Sequence, residues 1–436
     1  MAQHVAACFR AVETAGIPYA VLHGADDIPD FVDSDIDIVV AQGSMPALTA
    51  LLTEFAQATG GVLCQVIRHE TTARYHVLAL PGQSGEPTFL KIDASTDFRR
   101  DGRVLFTSGE LLGATRRVGE IASVSVDVEF AAYLAKRILK GAIEGRHLDV
   151  LSRLWNEDNA ACRLRCASLF GADSAAVVAG VFDVGLAREP ADDLLTLRGA
   201  VLRGTFVHHP FGALAYLLGE PRRLVSRIVR RTGFQIAVLG PDGVGKSTLL
   251  TGLADLLEPT VRHVGTMHLR PGLLPARESG ESRSPVPYGR PVFGPVASIL
   301  KLGYLILDYD LGYWVSLWPK LVGSTLILCD RYYLDVVADP ARYRYGGPQQ
   351  LPRAAAAFVA GPDLYVILSA ATDAVQARKA EVGPEVTSSQ DAAYGRLSGR
   401  TNRIERVDAS GTPEAVLNSV AWLVVRSMAT RAVNRL

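Results

Sequence analysis

Apolar residues in "MAQHVAACFRAVETAG" recur at helical spacing and stop at Gly16, which predicts an amphipathic helix at the start of the chain. "YAVLHG" and "DIDIVV" follow as apolar runs of strand length. A helix is expected near 45–59, then strands near 62–68, 74–80 and 88–93. "VEFAAYLAKRILKGAI" is the clearest amphipathic helix of a mostly helical stretch. From about 233 onward, strand-length apolar runs alternate with helical patterns, the signature of a parallel sheet covered on both faces. The predicted class is therefore α/β, with three segments: an α/β domain at 1–120, a helical connector at 121–232 and a parallel-sheet domain at 233–436.

Three stretches stand apart from this pattern. Residues 296–329 are the most apolar, but Lys301, Asp308, Asp310 and Lys320 interrupt them, so no run reaches the ~20 residues that cross a bilayer. Buried helices plus a core strand are expected, with contact of Trp314 and Trp318 with a membrane surface as the alternative. Residues 270–295 are rich in Pro, Gly, Ser and Arg, and a loop that long is expected to be functional or mobile. "EPRRLVSRIVRR", 220–231, reads as a basic helix with a solvated face, or as an anion contact.

Composition narrows the classes. Of 436 residues, 45 are Lys or Arg and 45 Asp or Glu, so there is no global basic field to draw in nucleic acid. Five cysteines without C-x-x-C spacing argue against zinc and against a disulfide framework, and a reducing cytoplasm is the expected setting. Arg10 and Glu13 interrupt the first apolar stretch, which also lacks a basic leader region, so it does not read as a signal peptide. The expected partners are a small-molecule substrate and a second copy of the chain, without stable membrane insertion.

Chemistry enters at "QIAVLGPDGVGKSTLL". A strand ends at Gly240, and Gly240, Pro241, Asp242, Gly243, Val244, Gly245, Lys246, Ser247 and Thr248 form a phosphate-binding loop. The glycines let backbone N–H groups converge on phosphate oxygens, with the positive end of the next helix behind them. Lys246 is expected on the β- and γ-phosphates of ATP, and the Ser247 hydroxyl on Mg²⁺. "TLILCDRYY" ends a second strand at Asp330, a further Mg²⁺ carboxylate, with Arg331 beside the phosphates. "TDAVQARKAE" is a helix whose Arg378 and Lys379 could bring positive charge over a transferring phosphoryl group.

This ordered set resembles the thymidylate kinase family of P-loop kinases over about 233–430. The carriers are "GPDGVGKST", the arginine of "HLRP", "DRYY", "PDLYVIL", "RKAE" and the terminal "VDAS". The resemblance implies a P-loop fold using ATP and Mg²⁺. It implies that Asp242 faces the acceptor, that Arg270 grips an acceptor anion, that Tyr332 lies at the acceptor, and that Lys246, Asp330, Arg331 and Arg378 serve the transfer. "DRYYLDVVADPARYRYGGP" departs from the family after the D-R-Y. Its Asp335, Asp339, Arg342, Tyr343 and Arg344 suggest a different acceptor pocket, so an acceptor other than dTMP is expected.

The N-terminal strands carry a second pattern. Asp35 and Asp37 alternate on one strand, so their carboxylates share a side, and Asp93 lies on another in "TFLKIDAS". Three such carboxylates can hold divalent metal; paired surface aspartates on an edge strand are the plain alternative. With the upstream "HG", the segment 20–95 resembles the nucleotidyltransferase superfamily, and Ala25 stands where that family often has serine. The resemblance implies a basic residue on a following helix at the triphosphate. Lys136 and Lys140 are candidates, a solvated helix face being the other reading of each. Asp26, Asp27, Asp30 and Asp33 read as a solvated acidic loop, and "FVHHP" with His208 and His209 as a turn or core edge.

A two-module enzyme is expected: an ATP- and Mg²⁺-dependent kinase joined to a nucleotidyltransferase-fold module, active or vestigial. The alternatives are a nucleotide-binding regulator and a nucleotidyltransferase that modifies a partner protein.

Overall fold

The computed structural model describes residues 1–28, 35–100, 103–183, 190–208, 212–274, 291–371, 384–397 and 403–433. They form two compact units, Met1–Pro81 with Thr88–Ser226, and Gly82–Pro87 with Arg227–Leu436.

The first unit is built on a mixed seven-stranded sheet. Its strands are β1 (Tyr19–Val21), β2 (Ile36–Val40), β3 (Val62–Ile67), β4 (Ala73–Pro81), β5 (Pro87–Ser95), β8 (Thr115–Val118) and β9 (Ile121–Val124), in the order β3-β4-β5-β2-β1-β9-β8. A separate hairpin pairs β6 (Asp97–Arg100) with β7 (Arg103–Thr107). Strand alternation sends Ile36, Ile38 and Val40 into one core, under the helices Ala2–Thr14 and Met45–Ala58. Val39 enters the opposite core, which the helices from Val126 onward close with Phe130, Leu134 and Trp155. The helical stretch begins at Val126, because Ile121–Val124 pairs in parallel with β1 at Val21↔Ser123. Four residues carry too little periodicity to announce that strand. The helices up to Ser226 fall in the same unit as the sheet, since they share its core.

The second unit holds a five-stranded sheet, parallel throughout: β10 (Phe234–Leu239), β11 (His263–His268), β12 (Thr325–Asp330), β13 (Leu364–Ser369) and β14 (Arg403–Asp408), in the order β11-β12-β10-β13-β14. All six residues of β10 are buried, as a central parallel strand requires. Ala237 and Leu239 pack with Leu302, Leu305 and Tyr309 of the helix Pro295–Gly312. Lys246–Leu257 and Pro413–Val433 pack on each other and on the strands. The most apolar stretch of the chain is thus helix followed by core strand. Among the described residues no helix is long and apolar enough to cross a membrane. The chain runs from β10 out to β11 on one side and later to β13 and β14 on the other. β10 is therefore the switch point, and a crevice is expected at its carboxyl end.

Candidate active site

The phosphate-binding loop sits at that carboxyl end. Gly240, Gly243 and Gly245 have φ of 145°, 81° and 104°, a region L side chains rarely adopt. Gly240 is doubly constrained, because a Cβ there would lie 2.5 Å from the Leu368 carbonyl oxygen. Val244 is buried and anchors the loop, while Ser247 and Thr248 are exposed. The loop lines a cleft of about 950 Å³ with His268, Asp330, Arg331 and Arg342, and with Ala409, Gly411 and Pro413 after β14.

Lys246 is buried, and its ammonium donates to the carbonyls of Gly240 (2.9 Å) and Pro241 (2.6 Å). Burial, with repulsion from Arg331, lowers its pKa to about 7 although Asp242, Asp330 and Asp335 pull the other way. Asp242 bonds both Arg331 and Arg342, and lies 3.9 Å from Lys246. Burial raises the Asp242 carboxyl, but these cations more than offset it and hold it below its ordinary range. Arg331 is held from behind by the fully buried Asp335 at 2.8 Å and by the Tyr394 hydroxyl. It sits at φ 72°, as does its neighbour across the strands, Leu269, at 61°. Two non-glycine residues in that region at adjacent strand ends mark stored backbone strain beside the cleft.

Asp330 ends β12 in register with His268 of β11, whose Nδ1 lies 3.1 Å from Asp330 Oδ2. Burial would raise Asp330, but the His268 ring, Lys246 and Arg331 lower it overall. Asp330 Oδ1 is buried without a hydrogen-bond partner. An orphaned buried carboxylate oxygen lining the same cleft as an exposed serine suits a hard cation, so Asp330 and Ser247 fit Mg²⁺.

Other expected residues lie elsewhere. Tyr332 is fully buried, and its hydroxyl donates to the Ala360 carbonyl at 2.9 Å, so it packs the core instead of facing the cleft. Arg270 pairs with the fully buried Asp308 at 3.1 Å. That carboxylate also accepts from the N–H groups of Gly272 and Leu274, so the pair holds the 269–274 turn. Of the residues after the D-R-Y, Arg342 reaches the cleft. Tyr343 donates to Asp335, and Arg344 stacks on Phe293. Arg378 and Lys379 lie outside the described residues, as do Asp30, Asp33 and His209. Sequence reasoning missed His268 and Tyr394. The first was findable as the last residue of the strand beside Asp330; nothing local announced the second.

In the first unit, β2 and β5 run parallel with Asp37 opposite Asp93. Asp35 precedes the strand, and carboxylate oxygens of Asp35, Asp37 and Asp93 lie within 4.8 Å of one another. His23 Nε2 and Lys136 Nζ lie 3.2 and 3.3 Å from Asp37, and His69 Nε2 lies 3.4 Å from Asp93. Burial, then the charges of Asp37 and Asp35, push Asp93 up to about 8. Asp93 Oδ1 is buried without a partner. This donor set fits a divalent cation, which would relieve the repulsion. Lys136, from the helix Val126–Lys140, meets a carboxylate here. Nearby, the N–H of Gly24 donates to the buried Glu129 at 3.1 Å, and Arg116 neutralises that carboxylate.

No protein-family model matches this chain, and no curated protein matches it. Among solved structures, thymidylate kinase from Ehrlichia chaffeensis is similar to 44% of this chain and 97% of its own length, at 18% identity and a TM-score of 0.31.

Proposed function

We propose that the second unit is an ATP- and Mg²⁺-dependent phosphotransferase acting on a small acceptor, a nucleotide or sugar derivative other than dTMP. The observation that carries this reading is the cleft at β10, where a left-handed glycine loop, Lys246, Arg331, Arg342 and Asp330 face one space. Loop N–H groups and Lys246 receive the donor phosphates, and Lys246 leaves the two carbonyls that hold it. Asp330 and Ser247 hold Mg²⁺, which neutralises phosphate charge when bound. Arg342 and Arg331 exchange part of their hold on Asp242 for the developing charge of the transferred group. Asp335 keeps Arg331 in place meanwhile. Arg378, which lies outside the described residues, is assigned to the transfer by the sequence pattern alone, and Asp242 faces the acceptor once its arginines turn to phosphate. Phosphoryl transfer is mainly positioning and charge neutralisation, and these groups supply both.

For the first unit we propose a nucleotidyltransferase-fold module with a divalent site at Asp35, Asp37 and Asp93, in a cytoplasmic enzyme. The register of Asp37 with Asp93 favours it.

The test is ATP turnover against a panel of phosphorylated and hydroxylated metabolites, with Lys246→Ala as control. Transfer to one acceptor that vanishes in a folded Lys246→Ala protein supports the kinase. ATP binding without turnover on any acceptor supports the regulator, and nucleotide incorporation into a protein supports the modifier.

A further inference from the structure

His268 ends β11, and more than the sheet holds it there. The N–H of Leu269 donates to the Asp330 carbonyl at 2.9 Å, and the N–H of Arg270 donates back to the His268 carbonyl at 2.8 Å. The second bond closes a three-residue γ-turn over Leu269, whose φ is 61°. A γ-turn with positive φ is rare and strained. The ion pair of Arg270 with buried Asp308 braces it, and so does the Tyr309 hydroxyl, which donates to the Leu269 carbonyl at 2.8 Å. The chain therefore turns directly after His268. The ring is left at the strand end on the wall of the cleft, with 54% of its side chain exposed.

Asp330 is the partner of His268 in register on the next parallel strand, so both side chains leave the same face, with Nδ1 3.1 Å from Oδ2. A hydrogen bond across that gap would only steady the carboxylate. The same spacing suits two adjacent ligands of one divalent ion, because neighbouring corners of an octahedron with bonds of about 2.1 Å lie about 3.0 Å apart. Asp330 Oδ1 is buried without a hydrogen-bond partner, so the carboxylate still has coordination to offer. Ser247, an oxygen donor, lines the same cleft. The strained turn points the same way. It fixes the position of a ring that buries too little surface to repay the strain by packing, and strain of that kind gathers at ligand sites.

Given the phosphate site proposed for this cleft, on which the inference rests, we infer that His268 is a ligand of its divalent ion, and that this nitrogen biases the site toward first-row transition ions over Mg²⁺. Imidazole suits transition ions, whereas Mg²⁺ keeps to oxygen. Mn²⁺ is the weakest binder of that series and so the most demanding probe. The full chain carrying Asp35→Asn and Asp37→Asn, which disables the N-terminal triad, is loaded with Mn²⁺ and inorganic tripolyphosphate, a phosphate chain with no nitrogen of its own. Pulsed electron paramagnetic resonance should show the nitrogen modulation of a bonded imidazole, and a further His268→Asn should abolish it. Asn keeps an amide N–H that can steady Asp330, so it separates a ligand from a hydrogen-bond donor. The Mn²⁺ dissociation constant should rise about tenfold or more in His268→Asn, since even the partners of metal ligands are worth about 10–100-fold in affinity. The Mg²⁺ constant should move far less. An unchanged Mn²⁺ constant in His268→Asn, or no nitrogen modulation in its parent, overturns the inference and leaves the phosphate site standing. Modulation that survives His268→Asn gives the nitrogen to another residue and overturns it equally. If the protein holds no Mn²⁺ with tripolyphosphate at all, the phosphate site falls and this inference with it.

Discussion

The two candidate sites differ in how they hold charge without a ligand. At the phosphate loop, three buried or half-buried cations, Lys246, Arg331 and Arg342, are balanced by Asp242, Asp330 and Asp335. At the N-terminal triad, three carboxylates converge on one ammonium and two imidazoles. The loop site is internally neutralised and gains by exchanging partners. The triad carries an excess of negative charge and gains by acquiring a cation. The first arrangement suits binding of an anion, the second binding of a metal.

The sharpest break of this comparison is Lys246→Ala. Removing the cation that meets the donor phosphates should lower phosphoryl transfer by about 10²–10³-fold or more, while circular dichroism stays unchanged. Activity within a factor of a few of wild type would show that the internally neutralised site is not the transfer site.

Asp335→Ala comes next. It strips a fully buried Arg331 of its rear partner, and breaking a buried pair costs about 3–5 kcal/mol. Chemical denaturation should show this loss, with Asp335→Asn milder because it can still accept from Tyr394 or Tyr343. An unchanged midpoint would mean that Asp242 alone holds the guanidinium.

The triad should respond to metal. Mn²⁺ or Mg²⁺ at a hundredfold excess over its dissociation constant should stabilise the protein by about 2.7 kcal/mol. A double Asp35→Asn, Asp37→Asn variant should lose that gain and be no less stable without metal. It should keep wild-type ATP turnover if the two sites are independent. Retained metal stabilisation would place the cation elsewhere.

A further test is in pH. Asp93 has a folded pKa near 8 against 3.8 ordinarily, so the folded state holds its proton more tightly than the unfolded chain. Its contribution to metal-free stability is complete below about pH 4 and is lost as pH rises to about 8. Asp93→Asn should flatten that fall, and saturating metal should do the same. A melting profile identical in wild type and variant across this window would remove Asp93 from the cluster.

Much of the second unit was legible in the sequence. The loop is contiguous, its glycines act through their own backbone, and β10, β12 and β13 announce themselves as apolar runs of strand length. The triad was legible only as residue types. Asp37 and Asp93 are 56 positions apart, and a one-residue slip between β2 and β5 would have turned one carboxylate away.

What the sequence by itself determined is therefore local: the alternation of elements, the phosphate loop, the carboxylates at strand ends and the strength of the apolar runs. Tertiary structure alone decided which strands lie side by side and what each charged group meets. It placed Ile121–Val124 in the sheet, Tyr332 in the core and Arg270 on Asp308, and it brought His268 to Asp330 and Arg342 to Asp242. The reason is physical. A helix or turn is selected by interactions within a few residues. The partner of a buried charge is selected by burial itself, which forces each ion toward whatever opposite charge the packed elements have brought within reach.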